Sequence, residues 1–488
     1  MRTRSVLLLL LAAPPTWART VPVQDTASLQ AAIAAALAGD EILLADGTYP
    51  SGNISCSAAG TESAPIVVRA ANPLGASIRF SGVEGFKVSG PQWHFIDLDI
   101  QGTCAVDDDC EHAFHVTGAA DGFIMRGNRV RDFNAQLKVN AAQVNGAWRT
   151  PNNGVIEYND LGDTRGRVTA NPVTKLNIDT GDDWIIRGNV LHDFFKDGGN
   201  GISYGAFMKS GGHRGLFERN LVLCARDVPT GGVRIGLSFG GGGTAPQYCA
   251  PAFDAATPCS VEHHDGTARN NILANCSDVG IYVNRGANTS VLHNTLIATS
   301  GVDFRFDTTT GRAVGNLMGG ALRARDGAVF TDTGNVTGVT QATFDAAYRL
   351  PHQGDLALAG SVAAWVGAGN ALADVPDDYC ARTRPSGTVT VGALEHALGS
   401  CATVPPPRSA GAAPASSGAG SSAAPASSAG TSASSAAPAS APAALAPPPA
   451  GASGCLCGTP APGPPAALVL PGLLAWMRRR RAAATLLN

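Results

Sequence analysis

The chain has 488 residues, a net charge of −3 and eleven cysteines. So small a net charge excludes the electrostatic footprint of a nucleic-acid or membrane-surface binder, and eleven cysteines in a chain with an export-type start point to disulfides in an oxidising compartment. The length is large for one compact domain and ordinary for a repeat architecture.

Residues 1–18 read as a secretory signal peptide. Arg2 and Arg4 come first, then an apolar run from 6 to 13, then the small residues Thr16 and Ala18 before a cut at Arg19. The folded part is expected to occupy residues 19–401. It opens on residues 28–37, an amphipathic helical segment that predicts a cap over the open end of a solenoid. Beyond it, long helical patterns give way to period-two alternation. Val233, Ile235, Leu237 and Phe239 alternate with Arg234, Gly236 and Ser238, and Phe304 and Phe306 alternate with Arg305 and Asp307. Such strands turn one face to a core and the other to solvent.

The strands are punctuated by asparagine. Asn128, Asn159, Asn189, Asn220, Asn271, Asn294, Asn316 and Asn335 each close a short apolar run, at intervals of 31, 30, 31, 51, 23, 22 and 19 residues. A unit of this size built from short strands and turns predicts a solenoid. The stretched interval holds an insertion between Gly240 and Val261 that begins with four glycines and is expected to wall a groove. The cysteine spacing allows loops stapled by Cys104 with Cys110 and by Cys249 with Cys259, a rung-to-rung pair Cys224 with Cys276, and a C-terminal closure by Cys380 with Cys401. Cys56 is then left over, and spacing does not fix these pairings.

Residues 402–453 are almost entirely Ala, Ser, Pro and Gly and predict a flexible tether. Residues 454–488 carry Cys455 and Cys457, an apolar stretch too short for the ~20 residues of a membrane span, and the cluster Arg478 to Arg481. This order of parts resembles the myxobacterial C-terminal sorting signal, which implies delivery to the cell surface and attachment to the cell envelope through the tail.

Residues 28–50, SLQAAIAAALAGDEILLADGTYP, together with WVGAGN at 365–370 and VGALEH at 391–396, resemble the opening and closing segments of right-handed parallel β-helix proteins of the pectate-lyase-like superfamily. The resemblance implies an all-β, right-handed parallel β-helix with an N-terminal capping helix, and asparagines such as Asn128, Asn159, Asn189 and Asn220 stacked in a hydrogen-bonded ladder at one turn. It says less about activity, because the fold hosts lyases, hydrolases, epimerases and adhesins.

On such a fold the outward residues Lys138, Asn177, Asp179, Lys209, Arg234, Tyr282 and Arg305 are expected to line one groove richer in positive than negative charge, suited to an acidic polysaccharide lying across the turns of a monomer. A lyase for uronic-acid polymers needs a base, a group that neutralises the substrate carboxylate, and a proton donor. Lys209 followed by Arg234 resembles the Lys and Arg pair of alginate and chondroitin lyases of this fold, which implies Lys209 as base and Arg234 as neutraliser. Lys138, His213, Arg214, Tyr282 and Arg305 are the substrate-binding candidates. Many such lyases use Ca²⁺, and Asp179, Asp182 and Asp183 are the candidate ligands. Residues 262–265, EHHD, are a weaker zinc candidate. Two rivals stand beside the lyase: a glycoside hydrolase, which needs paired carboxylates, and a non-enzymatic adhesin or polysaccharide-binding protein.

Overall fold

In the computed structural model of the chain, residues 19–405 are described, apart from 229, 230 and 242. The signal-peptide and sorting-tail segments, and all of the tether after 405, lie outside the described residues. Three long parallel sheets dominate, of twelve, ten and ten strands, and each adds one strand per turn in chain order. The fold is therefore the right-handed parallel β-helix.

The first strand, Thr20–Val23, pairs with Glu41–Leu44, and the helix Thr26–Ala34 sits between them. It starts two residues before the predicted segment because Asp25 caps it: the Asp25 carboxylate accepts from the Ser28 N–H at 2.7 Å and the Ser28 hydroxyl accepts from the Asp25 N–H at 3.2 Å. Leu29 and Ile33 are the buried face that closes the core.

Inside, like residues stack turn on turn. In the second sheet one inward column runs Val88, Val116, Val139, Ile178, Met208, Phe239, Val283 and Phe304. Phe86 and Phe114 stack with ring centroids 5.3 Å apart. Along one corner the asparagine ladder forms as predicted. Each Asn side-chain oxygen accepts from the backbone and side-chain N–H of the ladder asparagine one turn earlier, from Asn128 on Asn159 to Asn316 on Asn335. The residue just before every ladder asparagine has a left-handed backbone; glycine takes that place at 127, 188, 315 and 334. The ladder thus secures a corner that most side chains resist.

All four disulfides form as the spacing allowed: Cys104–Cys110, Cys224–Cys276, Cys249–Cys259 and Cys380–Cys401. Cys56 is a buried free thiol. The closing segments do not lie across the end of the solenoid. From helix Gln341–Ala347 onward, Phe344, Tyr348, Trp365, Tyr379, Val391 and Leu394 pack sideways on Leu221, Leu223, Ile272, Ala274, Ile297 and Leu317. Strands Leu221–Leu223 and Ile272–Ala274 are in consequence buried at every position.

Candidate active site

Parallel register stacks the outward positions of the second sheet in columns with a rise of about 4.8 Å per turn. One column reads Lys87, His115, Lys138, Asn177, Phe207, Ser238, Tyr282, Asp303. A second, two residues further along each strand, reads Thr117, Asn140, Asp179, Lys209. Between them lies a dense polar cluster. Asp179 is clasped by lysines from the turns on either side: Lys138 pairs with one carboxylate oxygen, and Lys209 Nζ lies 3.0 Å from the other. Lys138 Nζ also donates to Asn177 Oδ1 at 3.0 Å. The three charged side chains retain only 14–17% exposure, so solvent screens them weakly. Burial pushes the Asp179 carboxyl up, but the two ammonium groups outweigh it and hold it below the usual carboxylate range. Burial pushes the Lys138 ammonium down, and Asp179 only partly restores it.

The inserted loop after Phe239 forms the wall. Its Thr244 hydroxyl meets the Ser210 hydroxyl at 2.9 Å, and with Tyr248 it encloses a pocket of about 230 Å³ over Asn140, Asp179, Lys209 and Ser210. Behind the pocket Glu262 is fully buried. It accepts from the Gly241 N–H at 3.3 Å, and burial raises its carboxyl above the ordinary value although Lys209 pulls the other way. The floor under Lys209 is Phe207, whose ring centroid lies 5.1 Å from Nζ.

At the other end of the cluster stand three residues that sequence reasoning missed. Glu84 Oε1 lies 2.5 Å from His115 Nδ1, His115 Nε2 lies 3.1 Å from Asn140 Oδ1, and the His112 ring centroid is 5.1 Å from that of His115. Burial first, then His115 and Lys138, push the His112 imidazole down to about 3. Strict alternation puts residues three apart on opposite faces. Here Ala113 and Phe114 are both buried, and the histidines on either side come together.

The structure separates several predicted residues from this cluster. Arg234 is not beside Lys209: its register partner is Ser203, six residues earlier, or about 20 Å along the strand. Its guanidinium is buried, donates to the Cys224 carbonyl at 3.0 Å and lies over the Phe195 ring. The register of strands Ile202–Lys209 and Val233–Phe239, which coil order alone does not reveal, rules out the pairing of Lys209 with Arg234. His213 and Arg214 sit at the next corner, where His213 Nδ1 lies 3.1 Å from Asp182 and Arg214 pairs with Asp183 at 2.7 Å. His213 also stacks on His264 at 4.6 Å. With Trp148 and Phe253 this corner borders a second hollow of about 640 Å³. Tyr282 and Arg305 do share the outward face, and Arg305 donates to the Tyr282 hydroxyl at 3.3 Å. They line a third hollow of about 330 Å³ with Tyr204, Arg285 and Arg325.

The predicted calcium ligands do not fit a calcium ion. Calcium needs several convergent oxygens, whereas Asp179 faces two ammonium groups and Asp182 and Asp183 face Arg214 and His213. The EHHD segment fails as a zinc site for another reason. His263 is buried against the Phe239 ring at 4.8 Å, while its neighbour His264 turns outward to His213.

The sequence profile of the Chondroitinase B family matches residues 23–98, from the first strand through the capping helix and the early turns. No curated protein matches the chain. Among solved structures, the chain is similar to pectate lyase Pel9A at 14% identity, covering 78% of this chain and 97% of that one with a TM-score of 0.48. It is similar to the alginate lyase from Paenibacillus sp. str. FPU-7 at 18% identity, with 64% and 98% covered and a TM-score of 0.34. A rhamnogalacturonan lyase matches at 13% identity, with 65% and 87% covered and a TM-score of 0.44.

Proposed function

We propose that the chain is an exported polysaccharide lyase that cleaves a uronic-acid polymer by β-elimination on the outward face of the second sheet. The observation that carries this reading is the Lys138–Asp179–Lys209 cluster, two lysines sharing one carboxylate at the bottom of a walled groove. An elimination removes the proton beside the uronate carboxylate, and that step is feasible only where the developing charge is compensated. Lys138 is the lysine that burial drives toward its neutral form, and it is the one placed to take the proton. Lys209, which opens on the pocket, is placed to hold the uronate carboxylate. This moves the base from Lys209 to Lys138 and gives the neutralising role expected of Arg234 to Lys209. Tyr248, 58% exposed in the pocket wall, is placed to protonate the leaving oxygen. Tyr282 and Arg305 extend the same face toward further sugar units. Four disulfides accord with export, and the tail accords with a cell-surface monomer.

The test is incubation with alginate, pectate, chondroitin and hyaluronan while following the ultraviolet absorbance of unsaturated uronate products. Lys138→Ala and Lys209→Ala are each expected to reduce turnover by roughly 10²–10⁴-fold. In the wild type, kcat/KM is expected to rise with pH around a midpoint below the ~10.4 of an ordinary lysine. Full turnover in both variants would overturn the assignment.

A second reading rests on Asp179 and Glu262. Burial raises Glu262 while two lysines depress Asp179, and such a split between two carboxyl groups suits acid and base roles in a hydrolase. New reducing ends without ultraviolet absorbance would favour it. Binding to a polymer without any cleavage would favour the adhesin.

A further inference from the structure

We propose that Glu84, His112 and His115 form a site for a borderline divalent cation, zinc in preference to calcium, at the end of the groove opposite the glycine-rich loop. One ligand atom from each of the three side chains lies within 4.8 Å of the others. Two imidazoles and one carboxylate are the donor set that selects zinc and its neighbours, whereas calcium takes oxygen.

Two hydrogen-bonding facts point to a bound cation. His115 meets an acceptor oxygen at each ring nitrogen, Glu84 Oε1 at 2.5 Å from Nδ1 and Asn140 Oδ1 at 3.1 Å from Nε2. A neutral imidazole has one N–H and satisfies only one of them. With Nε2–H given to Asn140, the Nδ1 lone pair and the Glu84 carboxylate converge on the same side of the ring, and a zinc bound to both would hold them roughly 3 Å apart, about 2 Å from each. An acceptor oxygen holding the far N–H of a ligating histidine is the usual outer support of a metal site, and Asn140 Oδ1 supplies one here. The second fact concerns His112, whose Nδ1 is buried and has no hydrogen-bond partner among the described residues. A second proton on His115 would answer the first fact and leave the second. Glu84 and His115 keep 18% and 17% side-chain exposure, enough for an ion to enter from the groove. Because His115 is the register partner of Lys138, a cation held here lies about one turn, ~4.8 Å of axial rise, from the proposed base.

The experiment needs no substrate, so it is independent of the lyase reading. The purified full chain is stripped with a chelator and dialysed against micromolar ZnCl₂ or CaCl₂, and metal per chain is measured by elemental analysis. One zinc and no calcium per chain is the expected result. Glu84→Gln and His112→Ala are expected to weaken zinc binding more than tenfold, and Asn140→Ala by about tenfold. His264→Ala, which breaks the other histidine pair, is expected to leave it unchanged. Cobalt loaded in place of zinc should give visible absorption bands that His115→Ala removes. The melting temperature of each metal-free variant shows whether it is folded, and Glu84→Gln keeps the shape of the side chain should the histidine variants fail. No zinc taken up by the wild type, or uptake unaltered in Glu84→Gln and His112→Ala, overturns the proposal, as does loss of zinc in His264→Ala alone.

Discussion

Asn189 shows how much one side chain holds in this fold. Its amide nitrogen donates to the Ile156 carbonyl at 2.8 Å and to Asn220 Oδ1 at 3.0 Å, while its oxygen accepts from the backbone and side-chain N–H of Asn159. All of this is buried. Truncation to alanine leaves the Asn159 N–H without its acceptor, and the Ile156 carbonyl and Asn220 Oδ1 each lose a donor, in a place water does not reach. Asn189→Ala is therefore expected to cost about 3 kcal/mol in urea unfolding, since each orphaned buried group costs about 1–3 kcal/mol. The ladder was legible in the sequence because the asparagines recur with the period of the turn. The histidines at 112 and 115 were not, because their approach depends on a break in alternation that no local pattern announces.

Among the elements, the insertion after Phe239 combines fold and site. It leaves the second sheet next to Lys209 and carries Thr244 and Tyr248 over the pocket; the Cys249–Cys259 disulfide closes it. Trp148, on the hairpin Ala142–Val144 with Ala147–Arg149, stacks on Phe253 of the same loop at 4.7 Å. The body of the solenoid does not depend on this staple. Replacing Cys249 and Cys259 by serine is expected to leave the main melting transition nearly in place and to lower kcat/KM on the polymer by roughly ten- to a hundred-fold. A reacting group displaced by about 1 Å can lose that much. Calorimetry beside the ultraviolet assay checks both halves. That this loop would border the groove was readable from its place after the Arg234 strand. Which side chains it presents to Lys209 was not, since twenty residues without a repeat have no register to read.

For the described fold taken whole, the side cover formed by residues 341–405 matters most. It buries Leu221, Leu223, Ile272, Ile297 and Leu317 from their outer side. It is fastened by polar contacts as well, Arg219 to Asp377 at 2.7 Å and Arg384 to Asn270 at 3.0 Å. Exposing five such aliphatic side chains costs on the order of 5–10 kcal/mol, comparable with the whole stability of many domains. A chain ending at residue 340 is thus expected to aggregate or to melt far below the full chain, as measured by light scattering and circular dichroism. Retention of the full melting temperature would show that the cover is dispensable.

What the sequence determined by itself is whatever repeats or acts locally. The solenoid, its capping helix and the placing of Lys138, Asp179, Lys209, Tyr282 and Arg305 on one face follow from period and spacing, the right-handed parallel β-helix and its asparagine ladder from the resemblance of its opening and closing segments, while spacing allowed the four disulfides without fixing their pairing. The tertiary structure alone decided matters of register between turns. It carried Arg234 some 20 Å from Lys209, set Asp179 between two lysines rather than among other aspartates, and gathered Glu84, His112 and His115 from two successive strands. The physical reason is that a strand's own pattern fixes which face a side chain takes, while the lengths of the connecting loops fix which residue of the next turn lies beside it.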